Sequence, residues 1–295
     1  MMKKLFQTKC PAWIGIILVY TVTLSAGCKQ HGYDTPEGYD TNKPIKMELG
    51  KVLNEISGLS YNKDDSSLLA ISDSKEKIFS IRLKNKKLKD FTDKVVGPDS
   101  DLEDLVYSDS MVYLLSSPGV IKAVPPGAKD SSGVRTYELN LPGQNDFESL
   151  YYDASVKGLI AVCKSCASDK GLHQRSAYRF DLETKSFDSA ALFTFNTSTV
   201  DEQLKDKDAK FDPSGIAVNP INKRLYVLSS SGNLLIVADN RGKIIETHKL
   251  NPDDYPQAEG IAFAPNGDMY ISNEGKYGKP TLLHIPYRQA GKKNK

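Results

Sequence analysis

Short apolar runs recur along this chain at nearly even intervals, each bounded by turn-forming residues such as Asn219-Pro220 and Asn266-Gly267-Asp268. Five of them share an ending: Leu68-Leu69-Ala70-Ile71-Ser72-Asp73, Val112-Tyr113-Leu114-Leu115-Ser116-Ser117, Leu159-Ile160-Ala161-Val162-Cys163-Lys164, Leu225-Tyr226-Val227-Leu228-Ser229-Ser230 and Met269-Tyr270-Ile271-Ser272-Asn273. Runs this short, rich in β-branched, Leu and Tyr residues, predict strands rather than helices. Ahead of each stands a second motif: Ile56-Ser57-Gly58-Leu59-Ser60-Tyr61, Leu102-Glu103-Asp104-Leu105-Val106-Tyr107, Phe147-Glu148-Ser149-Leu150-Tyr151-Tyr152, Pro213-Ser214-Gly215-Ile216-Ala217-Val218 and Gln257-Ala258-Glu259-Gly260-Ile261-Ala262-Phe263. Aligning Ser57, Glu103, Glu148, Ser214 and Glu259 gives spacings of 46, 45, 66 and 45 residues. That period is expected of propeller blades.

Third strands are predicted near residues 78–83, 120–124, 177–182, 234–238 and 282–285, and fourth strands near 88–94, 134–141, 187–195 and 244–250. The fifth repeat runs out before its fourth strand. Residues 45–52, apolar in part and unpartnered in their own repeat, supply it, closing the ring and removing its open edge. The prediction is an all-β propeller of five blades. A sixth blade hidden in the 66-residue interval is the alternative, but two insertions, Cys166 to Ser176 and the helix-compatible Thr199 to Lys210, account for the excess.

Residues 1–27 open with Lys3 and Lys4, continue through an apolar run and end in small residues, the build of a secretory signal peptide. The ending Leu24-Ser25-Ala26-Gly27-Cys28 resembles the bacterial lipobox, which implies cleavage before Cys28 and acylation (palmitate among the chains) of its thiol. A single membrane-spanning anchor is the competing reading, but the apolar run is short for a span of ~20 residues. Polar residues 28–44 are expected to be a flexible tether, 45–288 the propeller and 289–295 a disordered basic tail. Lys29, not Asp, follows the cysteine; by resemblance to the enterobacterial sorting rule this points to the outer membrane of the cell envelope. The formal charge of +2 falls to about −1 once the leader is removed, so no global basic field argues for nucleic acid.

The blocks ISGLSY, DLEDLVY, DFESLYYD, DPSGIAVN and QAEGIAF, in that order and at those intervals, are similar to the SdiA-regulated (YjiK-like) family of exported bacterial proteins, over about residues 46–287. The resemblance implies a β-propeller akin in shape to NHL-repeat, gluconolactonase-like and phytase-like propellers. It carries no catalytic set.

Antiparallel pairing puts the starts of first strands and the ends of second strands on one face. Ser57, Glu103, Glu148, Ser214 and Glu259 are therefore expected around one mouth of the channel, with Asp73, Ser117, Lys164, Ser230 and Asn273 on its rim. Three converging glutamates repel one another unless they share protons, find cations or stay hydrated. Calcium suits such an irregular oxygen site; capping of backbone amides where blades meet and a catalytic carboxylate pair are the other readings. His31, His173, His248 and His284 are too scattered for zinc, and no hydrolase elbow or phosphate-binding loop occurs. Cys163 and Cys166 are expected to form a disulfide in an exported protein, a redox-active pair and free thiols being the other readings. The functional expectation is a membrane-tethered monomeric binding or scaffold module, with calcium at the mouth and a protein or small-molecule partner. The alternative is a metal-dependent hydrolase of a phosphate ester or lactone.

Overall fold

The computed structural model describes residues 33–97 and 100–289. The expected signal peptide, Cys28 and residues 290–295 of the expected basic tail lie outside them. Among the described residues no helix is long and apolar enough to cross a membrane.

Five antiparallel sheets follow one another along the chain. Blade 1 comprises Ile56–Asn62, Ser67–Ser72, Phe79–Arg82 and Lys87–Asp90; blade 2 comprises Leu102–Ser108, Met111–Ser116, Val120–Val124 and Arg135–Glu138. Blade 4 comprises Gly215–Val218, Leu225–Ser229, Leu234–Ala238 and Ile244–Lys249. In blade 3 the inner strands Asn145–Asp153, Gly158–Cys166 and Gln174–Asp181 pair in sequence, but the expected fourth strand is split. Ser186–Phe187 and Phe193–Asn196 both pair with Gln174–Asp181. The insertion after them holds the helix Ser198–Leu204, whose Val200 is fully buried.

Blade 5 has Ala258–Phe263, Met269–Asn273 and Thr281–Ile285 from the C-terminal end, completed by Ile45–Glu48. Met47 stands opposite Leu282 in that antiparallel pair. Each innermost strand touches the next, and that of blade 5 touches that of blade 1, so the sheets form a ring. The fivefold count and the closure are as the sequence predicts.

The core is divided among the five interfaces between blades. This follows from the pleat: second strands are buried on both faces, and alternate residues serve alternate neighbours. Leu68 and Ala70 pack toward blade 5, while Leu69 and Ile71 pack toward blade 2. Leu225 and Val227 likewise face blade 3, with Tyr226 and Leu228 facing blade 5. Each fully buried Leu or Ile contributes roughly 1.5–3 kcal/mol relative to exposure.

The expected tether is not free from Tyr33 onward. Tyr39 is 4% exposed, donates to the Gly267 carbonyl at 2.7 Å and accepts from Asn219 Nδ2 at 2.7 Å. Its ring sits among Tyr226, Phe263 and Tyr287. Tyr255 Oη donates to the Thr41 carbonyl at 2.9 Å, and Arg288 N to that of Gly38 at 2.8 Å. One aromatic residue with both hydroxyl partners satisfied is enough to fasten an otherwise polar segment.

Candidate functional site

The motif residues owe their position to a repeated irregularity. In blades 1, 2, 3 and 5 the first strand carries a β-bulge, and the unpaired residue is Ser57, Glu103, Glu148 or Glu259. A bulge re-aims one side chain while the strand continues. In blade 4 Ser214 stands just outside the strand, its N donating to the Leu228 carbonyl that faces Gly215.

These five residues divide into two kinds. Ser57 Oγ donates to the Leu102 carbonyl at 2.7 Å, and Ser214 Oγ to that of Ala258 at 2.8 Å, each joining its blade to the next. Ser214 Oγ also accepts from Ser230 N at 3.2 Å, capping a rim amide of its own blade. The three glutamates cluster electrostatically instead: Glu103 and Glu259 both feel the charge of Glu148.

Asn273 is not on the rim, contrary to expectation. It lies opposite Ala258, is fully buried and donates to the Asp254 carbonyl and Thr281 Oγ1. The shared Ser at strand ends hides a one-residue offset in blade 5, because its first hairpin is of different length. The true rim residue is Glu274, whose N donates to the Gln257 carbonyl just as Asp73 N donates to Glu55 and Ser117 N to Asp101. Those acceptors mark a further tier that sequence reasoning missed: two residues before each motif residue stand Glu55, Asp101, Asp146, Asp212 and Gln257. The signal was present as an acid or amide, one spacer, then Ser or Glu.

Nine carboxylates thus gather on one face: Glu103, Glu148 and Glu259, then Glu55, Asp101, Asp146 and Asp212, then Asp73 and Glu274. Burial, with Glu148, Asp101, Asp146 and Asp73 nearby, pushes the Glu103 carboxyl up to about 9. Burial, Glu148 and Glu274 push Glu259 to about 8. Glu148 reaches only about 7: burial raises it, but Lys164, which donates to its Oε1, opposes the rise. Asp73 and Glu274 are also raised, each by burial first. Arg175 engages Asp212 at 2.7 Å.

A cleft of about 370 Å³ opens here, lined by Glu148, Lys164, Asp212, Glu259, Lys276 and Tyr277 among others. Among the described residues no three His, Cys, Asp or Glu side chains are grouped closely enough to hold one metal ion directly. Cys163 and Cys166, Cα atoms 5.8 Å apart, are joined through their sulfurs and enclose Lys164 in the loop.

Asp104, one residue past Glu103, has a structural duty. It is 3% exposed, and its oxygens accept from Leu105 N at 2.8 Å and Leu150 N at 2.7 Å, stapling blade 2 to blade 3. Burial pushes its carboxyl well above the usual range against the pull of those two amides.

Solved structures of similar shape include a luciferin-regenerating enzyme (TM-score 0.52, 13% identity, 84% of this chain and 96% of that one). The soluble aldose sugar dehydrogenase of Escherichia coli in its apo-form is another (0.53, 12%, 83% and 100%). A third is a protein provisionally named a gluconolactonase (0.52, 11%, 83% and 93%). At such identities the likeness is one of fold. No curated protein sequence matches the chain. The family model described as SdiA-regulated matches residues 37–277, which span most of the docked N-terminal segment and all five copies of the motif, and the chain belongs to the SdiA-regulated family.

Proposed function

We propose that this protein is a lipid-anchored binding module of the bacterial cell envelope, whose channel mouth takes a cationic ligand. One observation carries the reading: bulges in the innermost strands present three glutamates within a wider tier of acids, leaving negative charge that the described lysines only partly offset. A carboxylate group raised by its neighbours is relieved by any cation that enters. The wide spacing disfavours a bare ion caged by three side chains. It suits calcium held partly through water, or an organic ammonium group resting against Tyr277, which is 70% exposed at the edge of the cleft. The exported, acylated state rests on the leader and Cys28.

The melting temperature of the protein at pH 8, with and without millimolar calcium or spermidine, tests this, since a ligand bound only by the native state raises it. A rise that Glu103→Gln/Glu259→Gln abolishes is expected. No rise with either cation would end the proposal.

A second reading, hydrolysis of a phosphate ester or lactone, has one observation in its favour: Glu148, held near 7 beside Lys164, can take or give a proton close to neutrality. Glu148→Gln should then abolish turnover of such esters while leaving the fold intact. Loss of cation affinity alone favours the binding module.

A further inference from the structure

We propose that the side of blades 5 and 1 opposite the mouth is a contact surface for an anionic phospholipid bilayer. The hairpin joining the third and fourth strands of blade 1 carries Arg82, Lys84, Lys86, Lys87 and Lys89 with no acid between them, and all five are exposed. Among the described residues none of the five is in an ion pair, and the acids of this blade's first turn (residues 63–66) and of the strand Lys87–Asp90 are engaged elsewhere. Asp64 accepts from Tyr107 Oη, Asp65 from Ser67 Oγ at 2.5 Å, and Asp90 from Lys77 at 2.5 Å. Lysines on an outer strand discourage edge pairing, but Lys84 and Lys86 lie in the turn, beyond the ladder. Other blades balance such cations, as Arg179 with Asp181 and Asp188, and Arg224 with Glu246.

The hairpin is fixed to the part of the chain that leads to Cys28. Leu83 and Leu88 pack with Met47 and Leu49 in the cluster between blades 5 and 1. At the far end of the strand Ile45–Glu48, Ile45 is 53% exposed, flanked by exposed Lys43 and Lys46. Tyr33, 39% exposed, is tied to Asn42 by two hydrogen bonds of 2.9 and 2.7 Å. Four residues separate Tyr33 from Cys28, so an acylated cysteine stays within about 20 Å of this surface at full extension. Clustered cations with exposed aliphatic and aromatic side chains match a layer of anionic headgroups over acyl chains. The third-to-fourth turn and Ile45 both lie at the end of the ring away from the glutamates. Contact there leaves the mouth facing away from the bilayer, open to soluble ligands.

This proposal is independent of what the mouth binds. Because ring closure is complete within residues 33–289, the mature chain from Lys29 to Lys295, without leader or acyl chain, serves for the test. Its formal charge of about −1 provides no global attraction to anions. Cosedimentation with vesicles of equal phosphatidylglycerol and phosphatidylcholine at 50 mM salt should show binding that disappears with phosphatidylcholine alone and at 500 mM salt. Lys84→Glu/Lys86→Glu/Lys87→Glu should weaken it more than tenfold with an unchanged melting temperature, whereas Lys205→Glu/Lys207→Glu/Lys210→Glu, on the blade 3 to 4 insertion, should leave it within twofold. No binding to the anionic vesicles, or an equal loss in both variants, would overturn the proposal.

Discussion

Lys164 donates a hydrogen bond to the carboxylate of Glu148 from within the loop that the Cys163 and Cys166 sulfurs close. The corresponding rim positions are Asp73, Ser117, Ser230 and Glu274, so one cation stands in a ring otherwise neutral or acidic. Lys164 therefore tempers a charge cluster that the bulges create. The disulfide fixes where that tempering occurs.

Removing the ammonium should strengthen cation binding at the mouth. Two unit charges several ångströms apart in a partly desolvated cleft interact by about 1 kcal/mol or more. Lys164→Met is accordingly expected to tighten spermidine or calcium roughly tenfold at pH 8.5. Isothermal titration calorimetry reads this directly. A weaker affinity would mean that the lysine belongs to an anion site, and the sign of the mouth would have to be reassigned.

Stability should fall as pH rises. Glu103, Glu148 and Glu259 hold protons up to about 9, 7 and 8 in the fold, against the usual 4.3 or so of an unfolded glutamate. Between those limits the folded chain binds more protons than the unfolded one, so the free energy of unfolding declines with increasing pH. The contribution is fully present below about pH 4.3 and drains away through pH 7 to 9. Urea melts at pH 6 and pH 9 should differ by several kcal/mol, with the lower stability at pH 9, and Glu103→Gln/Glu259→Gln should remove most of that difference. A flat profile in the wild-type protein would show that these carboxyls are solvated.

Much of this was legible in the sequence because propeller blades are built from local, repeated pairings. Strand ends, the count of five and the role of Met47 all follow from period and closure. The placement of Asn273 did not, because matching its Ser-Asn ending to the Ser-Asp of blade 1 ignores hairpin length, and register rather than similarity decides which side chain reaches the rim. The tier of Glu55, Asp101, Asp146 and Asp212 was overlooked for a related reason. The carbonyls of Glu55 and Asp101 bind rim amides, while the four side chains are polar and unremarkable in pattern. Tyr39 was hidden by composition: one buried ring fastens a segment whose average polarity reads as a tether.

Tyr39→Ala should cost about 3–5 kcal/mol by emptying the space among Tyr226, Phe263 and Tyr287. Tyr39→Phe should cost about 1–3 kcal/mol, since it keeps the ring but leaves the Gly267 carbonyl and Asn219 Nδ2 without their partner. Denaturant unfolding measures both. If alanine is tolerated without loss, the N-terminal segment is not fastened to blades 4 and 5, and the short distance from Cys28 to the propeller no longer holds.

Gly215 offers a sharper test of how blades approach one another at the mouth. A Cβ there would lie 2.1 Å from the carbonyl oxygen of Glu259, a backbone atom that cannot turn aside as a flexible side chain would. Ser214 donates to the neighbouring Ala258 carbonyl, so the two blades are drawn together where only glycine fits. Gly215→Ala must therefore push the bulge of blade 5 outward, weakening the Ser214 bond and displacing Glu259. Overpacking of this kind costs about 1–3 kcal/mol, and cation affinity should fall with it. Gly278→Ala is the control: among the described residues its Cβ would meet nothing within 4 Å, and the change should be neutral. Equal stability and affinity in the two variants would show that blades 4 and 5 are more widely spaced at their inner ends than the Ser214 bond implies.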